Sequence, residues 1–177
     1  TANGVVTGDA YVLALGVSSP FLAAPLGIDL PVYPVKGYAM TVPITDATKV
    51  ARLGGVDEDN LLAYCPMGDR LRLTATAEIA GYSTAHRRRD FAVMTARARE
   101  LFPQGADFAR AEHWAGLRPM TPTAMPIVDR SPYANLFINT GHGHMGWTMA
   151  NGSARLIADL IGGKAPAIDQ EGLRHEP

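Results

Sequence analysis

Apolar and polar residues follow patterns that predict strands in the first half of the chain. Residues 10–16, AYVLALG, are apolar throughout, which is typical of a buried strand covered on both faces. Residues 70–76 alternate polar and apolar side chains, and the turn signal at residues 66–69 joins them to a β-prone run at 60–64. The pattern therefore predicts an antiparallel hairpin with one face in water.

A helical period follows the hairpin. Within residues 90–102, one apolar stripe is formed by Phe91, Met94, Ala98 and Leu101. This spacing predicts an amphipathic helix that ends before Pro103. Three arginines at residues 87–89 precede it, and they indicate either a solvated face or a binding site for a partner.

The last third of the chain predicts a Pro-rich turn at residues 113–122, a strand at 136–140 and a helix at 147–161. The strand and the helix are joined by GHGHMG at residues 141–146. Such a loop presents backbone N–H groups at the positive end of a helix dipole, which favours a negative group. The G-x-G-x-x-G spacing alone does not indicate a dinucleotide site, because no second strand ending in an acid follows, and the glycines also suit close helix-on-strand packing.

An all-apolar strand needs a neighbouring strand on each side, and the chain offers none nearby. We therefore expect a fragment whose further strands would precede residue 1, the alternative being a small complete domain with an N-terminal strand. In a fragment, the missing neighbours should leave residues 10–16 unpaired on at least one side, an exposed apolar edge that invites a dimer.

Composition narrows the classes of function. The 177 residues include 16 Lys+Arg and 17 Asp+Glu, so the net charge of −1 argues against nucleic acid as a partner. With 47% apolar and 19% charged residues the chain should fold around a core. The single cysteine, Cys65, excludes an internal disulfide and suits the reducing cytoplasm.

Two residue types are candidates for chemistry. Arg118 lies in an apolar stretch, so its partner should be a carboxylate or phosphate, either of a ligand or of Asp129 or Glu112. His142 and His144 would point to opposite faces of an extended segment. A metal site would therefore need a turn between them and a third ligand, for which His113 and Asp129 are the candidates. We predict no metal. The sequence contains no nucleophile elbow for hydrolysis.

Three motifs are distinctive: WAGLRPMTP at residues 114–122, PIV at 126–128 and NTGHGHMGWTMA at 139–150. YPVKGY at 33–38 and AEIAGY at 77–82 precede them in the expected order. Together, over residues 8–173, they resemble the C-terminal part of the FAD-dependent D-amino acid dehydrogenases, in the glycine oxidase and D-amino acid oxidase superfamily.

The resemblance implies a mixed α+β and α/β fold, the C-terminal portion of a two-domain flavin oxidoreductase. An antiparallel substrate-domain sheet would be joined to part of an FAD-binding Rossmann-like domain. The implied segments are 1–29 (end of the FAD-binding domain), 30–111 (substrate-binding domain), 112–165 (return into the FAD-binding domain) and 166–177 (a loosely ordered tail). The family's N-terminal G-x-G-x-x-G is absent, so the missing N-terminal FAD-binding half is the implied partner.

The resemblance also implies roles for matched residues. Arg118, in the G-L-R-P motif, would clamp the substrate carboxylate, and His144 and Tyr64 would contact the substrate. His144 stands where glycine oxidase has an arginine and the dehydrogenases tend to have threonine. The residues implied to contact the flavin are Gly141, His142, Gly143, His144, Met145, Gly146, Trp147 and Thr148. No acid–base catalytic residue is implied.

The implied activity is hydride transfer from a D-amino acid to FAD, which gives a 2-oxo acid and ammonia. The electrons would pass to oxygen or a quinone, in a protein that is cytoplasmic or peripheral at the inner membrane face. We expect the chain alone to be inactive. The alternatives are an amine oxidase acting on glycine or sarcosine, and a non-catalytic module that assembles with a separate FAD-binding chain.

Overall fold

The computed structural model describes residues 4–175. In it the chain forms two compact units. One unit consists of the segments up to Pro34 and from Arg118 onward, and the other is Val35–Leu117. The assignment of FAD or substrate binding to particular segments stays a prediction. Residues 1–3 of the predicted first segment and residues 176–177 of the predicted tail lie outside the described residues.

A five-stranded sheet forms most of the Val35–Leu117 unit. Its strands are β2 (Tyr33–Pro43), β3 (Gly55–Asp57), β4 (Leu62–Met67), β5 (Arg70–Glu78) and β6 (Glu112–Met120), in the order β3-β4-β5-β2-β6. The pairs β2–β5, β3–β4 and β4–β5 are antiparallel, as the sequence predicts. Leu71 and Leu73 of β5 are fully buried and Arg70 is exposed, which confirms the alternating pattern.

The predicted amphipathic helix begins as a 3₁₀ turn, Arg88–Phe91, and continues as α2 (Ala92–Leu101). Phe91, Met94 and Ala98 are buried in the core of this unit, and Leu101 packs against it. The stripe read from the sequence is therefore the face that the helix buries.

A second sheet lies in the other unit, in the order β1-β8-β7. Its strands are β1 (Tyr11–Leu13), β7 (Ile127–Arg130) and β8 (Leu136–Thr140). β1 is parallel to β8, whereas β7 is antiparallel to it. The short helix α1 (Ser19–Ala23) contributes Ala23 to the cluster around Ile138, and α3 (Gly146–Ile161) packs on Val128 and Phe137.

The first strand differs from its prediction. Only Tyr11–Leu13 of residues 10–16 is strand, and Tyr11 and Val12 are 42% and 44% exposed. Within the described residues β1 lies at the sheet edge with β8 as its neighbour, so the expected exposed apolar edge is present. The apolar run was read as fully covered because hydrophobicity reports a tendency to be buried, not which neighbouring strands are present.

One further prediction was wrong. The sequence predicts a Pro-rich turn at residues 113–122, but β6 extends to Met120, and Pro119 fits because β6 is an edge strand where a missing N–H breaks no ladder.

Residues 166–175 of the tail contain no helix or strand and are mostly exposed. The tail is nevertheless attached at one point, because the Val128 N–H donates to the Leu173 carbonyl at 2.9 Å and the Leu173 side chain packs on the α3 cluster. The edge of β7 supplies the backbone donor that holds the tail.

None of the helices in residues 4–175 has both the length and the apolar content needed to cross a membrane.

Candidate functional site

A backbone hydrogen bond brings the two most distinctive motifs together. The Gly143 N–H, in the loop between β8 and α3, donates to the Pro119 carbonyl at 2.9 Å. Pro119 follows Arg118 directly, near the end of β6. The glycine-rich loop and the arginine are more than twenty residues apart in sequence, but this hydrogen bond places the two segments next to each other.

Gly141 and Gly143, on either side of His142, occupy positions where a side chain would be strained. Gly141 has φ of +81°, and a Cβ there would lie 2.6 Å from Thr121 Cγ2. Gly143 has φ of +56°, and its Cβ would lie 2.9 Å from Met120 Sδ. Left-handed backbone and close approach both require glycine. The close packing that the sequence left open thus accounts for Gly141 and Gly143, and their contact with a cofactor stays a prediction.

His142 lies between these glycines, and its side chain contacts the helix α3 that follows the loop. Its Nε2 lies 2.8 Å from Ser153 Oγ, on the buried side of α3. Burial lowers the pKa of His142, so the ring is neutral at neutral pH. His142 therefore fixes the loop onto the helix.

The start of α3 faces outward and is uncapped. Its N-cap residue, Met145, makes no side-chain hydrogen bond to the first turn, and that turn contains no acidic residue. His144, Met145 and Thr148 are exposed, and Trp147 is 95% exposed. The first N–H groups of a helix have no intrahelical acceptor, so this turn suits a negatively polarised group such as the carbonyl edge of a flavin ring.

Arg118 is half-buried at the end of β6. Burial lowers the pKa of its guanidinium, but the group stays charged at any physiological pH. Glu112 lies 3.8 Å from Arg70, and Asp129 accepts a hydrogen bond from the His175 N–H at 3.0 Å, so both carboxylates have other contacts and their pairing with Arg118 stays a prediction. A charged, partly desolvated fork beside a donor-rich loop can hold a carboxylate and a second polar group together.

Tyr64 lies in the other unit, on β4. Its ring makes an edge contact with Phe102 at 5.3 Å between centroids, and it covers Gly55, where a Cβ would lie 2.5 Å from the hydroxyl oxygen. This packing gives Tyr64 a structural role in its sheet. Its contact with a substrate stays a prediction.

The sequence analysis missed a polar link behind the loop. Ser19 Oγ and Thr140 Oγ1 are 2.9 Å apart in the interior, Thr140 also donates to the Gly16 carbonyl, and the Leu15 N–H donates to Ser19. The link joins the ends of β1 and β8 and fixes where the glycine-rich loop begins.

Metal ligands do not converge here: among residues 4–175, no group of three or more His, Cys, Asp or Glu side chains could hold a metal ion.

Comparison with known proteins identifies the family of this chain. A family model described as DAO, FAD dependent oxidoreductase, matches residues 1–160. D-amino acid dehydrogenase 2 of Mesorhizobium japonicum is 51% identical over 173 residues, which cover 98% of this chain and 42% of the relative. D-amino acid dehydrogenase of Paramagnetospirillum magneticum is 46% identical over 173 residues, 98% of this chain and 41% of the relative. The chain thus spans about two fifths of the length of these curated relatives.

A solved structure confirms the fold class. Glycine oxidase from Geobacillus kaustophilus superposes with a TM-score of 0.87 at 25% identity, over 98% of this chain and 47% of that protein. The matched family is described as FAD dependent, which confirms the predicted cofactor.

The substitution Gly143→Ala should destabilise the chain. The left-handed backbone alone costs about 1–2 kcal/mol, and Met120 must also move. Gly152→Ala is the matched control, because a Cβ there meets nothing within 4 Å and alanine should stabilise α3 by about 1 kcal/mol. Urea unfolding measures both changes, and equal effects of the two substitutions would contradict the packing described.

Acid should weaken the fold partly through His142. Its pKa in the folded chain lies below the ordinary value of 6.5, so its contribution to stability is present above that pH and is lost as the pH falls. His113 shifts in the same direction, so some pH dependence should remain without His142. Urea unfolding from about pH 7 to about pH 5 should therefore show a smaller loss of stability in His142→Gln than in the parent chain. NMR titration of the His142 ring checks the same shift directly, and an unshifted pKa would refute it.

Proposed function

Because the chain belongs to the DAO family of FAD dependent oxidoreductases, we propose that it forms part of an enzyme that oxidatively deaminates D-amino acids to 2-oxo acids and ammonia. One observation carries the proposal: Arg118 and the uncapped start of α3 are joined through the Gly143–Pro119 hydrogen bond. Curated relatives named D-amino acid dehydrogenase, at 46–51% identity over nearly the whole chain, support this substrate class.

Arg118 is the substrate anchor in this proposal. Its planar fork can donate two parallel hydrogen bonds to the oxygens of an α-carboxylate, which fixes the orientation of the α-carbon as well as its position. Partial burial reduces competition from water for those bonds. His144 is exposed on the neighbouring loop, and we include it and Tyr64 as candidate substrate contacts.

The start of α3 would hold the flavin ring. Its first-turn N–H groups and the exposed side chains of His144, Trp147 and Thr148 offer donors and an aromatic surface that fit a polar ring with carbonyl groups on one edge. FAD, when bound, supplies the acceptor for the hydride that leaves the substrate α-carbon. The α3 N-terminus would favour negative charge developing beside it.

The proposal needs no acid–base residue in this chain. Hydride transfer depends on the alignment of donor and acceptor, which an anchored carboxylate supplies. The imino acid that results hydrolyses to the 2-oxo acid and ammonia.

Other parts of the proposal extend beyond this chain. The FAD phosphates would be bound by the remaining three fifths of a full-length enzyme, so the chain alone would be inactive. The final electron acceptor would be oxygen or a quinone, in an enzyme that is cytoplasmic or peripheral at the inner membrane face.

A second candidate is an amine oxidase acting on glycine or sarcosine. The TM-score of 0.87 with a glycine oxidase favours it, and Arg118 would anchor any α-carboxylate equally well.

A chimeric enzyme tests the proposal. In it, this chain replaces the 173 matched residues of the Mesorhizobium japonicum relative, at the same boundaries. The purified chimera should be yellow, and anaerobic addition of D-alanine should bleach its flavin band while L-alanine does not. Bleaching by glycine and sarcosine but not by D-alanine would favour the second candidate. A yellow chimera that none of these amino acids reduces would contradict both.

Arg118→Ala in the same chimera tests the anchor. Losing a bidentate charge-assisted pair should raise KM for D-alanine about a hundredfold or more. Arg52→Ala, at an exposed arginine outside the matched motifs, should leave KM within about twofold. An unchanged KM in Arg118→Ala would remove Arg118 from the site.

A further inference from the structure

The basic run at residues 87–89 is not used by the proposed function. All three arginines are exposed, beside the 3₁₀ turn Arg88–Phe91 that begins the α2 segment. From sequence alone they suited a solvated face or a partner. The structure adds a concave surface at this position.

A groove of about 540 Å³ lies between α2 and the end of the chain segment that enters β6. Arg88, Arg89 and Arg99 line it, and its apolar lining includes Ala92, Ala96 and Phe108. A second cavity of about 340 Å³ shares Arg88, Ala111 and His113 with the first. We call the two together the arginine groove. It lies wholly within the Val35–Leu117 unit, and none of its lining residues belongs to the predicted substrate or cofactor contacts.

The groove concentrates positive charge, and Arg88 and Arg99 have no carboxylate partner among the ion pairs of the described residues. No Asp or Glu is among the described residues that line either cavity. The ion pairs among residues 4–175 include none for Arg88 or Arg99, and Arg89 reaches only Asp90, at 4.0 Å. Burial, and then the charges of Arg88 and His86, lower the pKa of His113 at the junction of the two cavities. His113 is therefore neutral at neutral pH, and the arginines carry the positive charge of this surface.

A comparison within α2 shows that the missing counterions are local. Arg97, two residues before Arg99, lies 2.6 Å from Asp57 and 2.7 Å from Glu100. The guanidinium of Arg99 instead lies over the Phe108 ring, 5.6 Å from its centroid. A cation–π contact uses the face of the ring and not a hydrogen-bond acceptor, so the N–H groups of Arg99 can still donate to an external acceptor.

The lining favours an anion with an apolar body. Ala92 and Ala96 are one helical turn apart and exposed, so their small side chains form a shallow apolar floor beside Phe108. A concave surface of this volume suits a small molecule better than a flat bilayer. Guanidinium groups around its rim suit phosphate or carboxylate, and concavity focuses their field.

We propose that the arginine groove binds a small organic anion whose phosphate or carboxylate head contacts Arg88 and Arg99 and whose apolar body lies on Ala92, Ala96 and Phe108. This site is separate from the proposed D-amino acid function and does not depend on it.

Calorimetric titration of the full 177-residue chain tests the site with defined probes. Phenyl phosphate should bind with one saturable site, benzoate should compete with it, and inorganic phosphate should bind at least about tenfold more weakly because it lacks the apolar body. No saturable binding of phenyl phosphate or benzoate would overturn the proposal. Binding only to vesicles of phosphatidylglycerol, and not to the small probes, would also overturn it in favour of a membrane surface.

Variants locate the binding. Arg88→Gln and Arg99→Gln should each weaken phenyl phosphate about tenfold, because each removes a charge-assisted contact, while Arg52→Gln should change it less than about twofold. Ala96→Leu should fill the floor and weaken phenyl phosphate more than inorganic phosphate, whereas Val93→Leu, on the exposed flank of α2, should affect neither. Equal effects of Arg52→Gln and Arg99→Gln would mean attraction to net charge alone and would overturn the site. All of these positions are exposed, so the fold should be unaffected.

Discussion

The candidate site depends on the backbone hydrogen bond between Gly143 and the Pro119 carbonyl. This contact forms only because two glycines let the β8–α3 loop approach the end of β6 closely, at φ values that other residues adopt with strain. With the loop held there, α3 begins beside Arg118, and its dipole and the guanidinium favour negative groups in the same region.

Polar groups behind the loop explain why its position is fixed. The Ser19–Thr140 contact and the Gly16 carbonyl join the ends of the parallel strands β1 and β8. In open sheets with parallel strands, ligands bind beyond the carboxyl ends of the strands, and both the Gly16 turn and the glycine-rich loop lie there. The exposed apolar edge of β1 belongs to this same sheet, and the sheet lies in the unit that contains Arg118 and the glycine-rich loop.

Charge in this protein is balanced in total but not in distribution. Arg97 is neutralised by two carboxylates, whereas Arg88 and Arg99 surround a groove lined by alanines and a phenylalanine. The basic run at residues 87–89 is visible in the sequence, but the sequence alone does not show whether it faces solvent or a partner. The groove beside it is completed by residues on α2 and near the start of β6, which only the fold brings together. Arg118 was likewise recognised as unusual from its apolar neighbours, and the structure adds the loop that lies against it.

The sequence by itself determined the local elements: the β4–β5 hairpin, the buried stripe of α2, the strand β8 and the helix α3 follow from side-chain periodicity and turn residues, which act over a few positions. Its motifs also identified the family. Only the tertiary structure decided that residues 113–120 form an edge strand, that the tail is held on β7, and that the His142 ring forms a hydrogen bond with Ser153. These outcomes depend on backbone groups and side chains far apart in sequence, whose pairing no local pattern encodes. For the same reason Ser19 and Thr140 looked ordinary in the sequence, although their contact fixes the position of the candidate site.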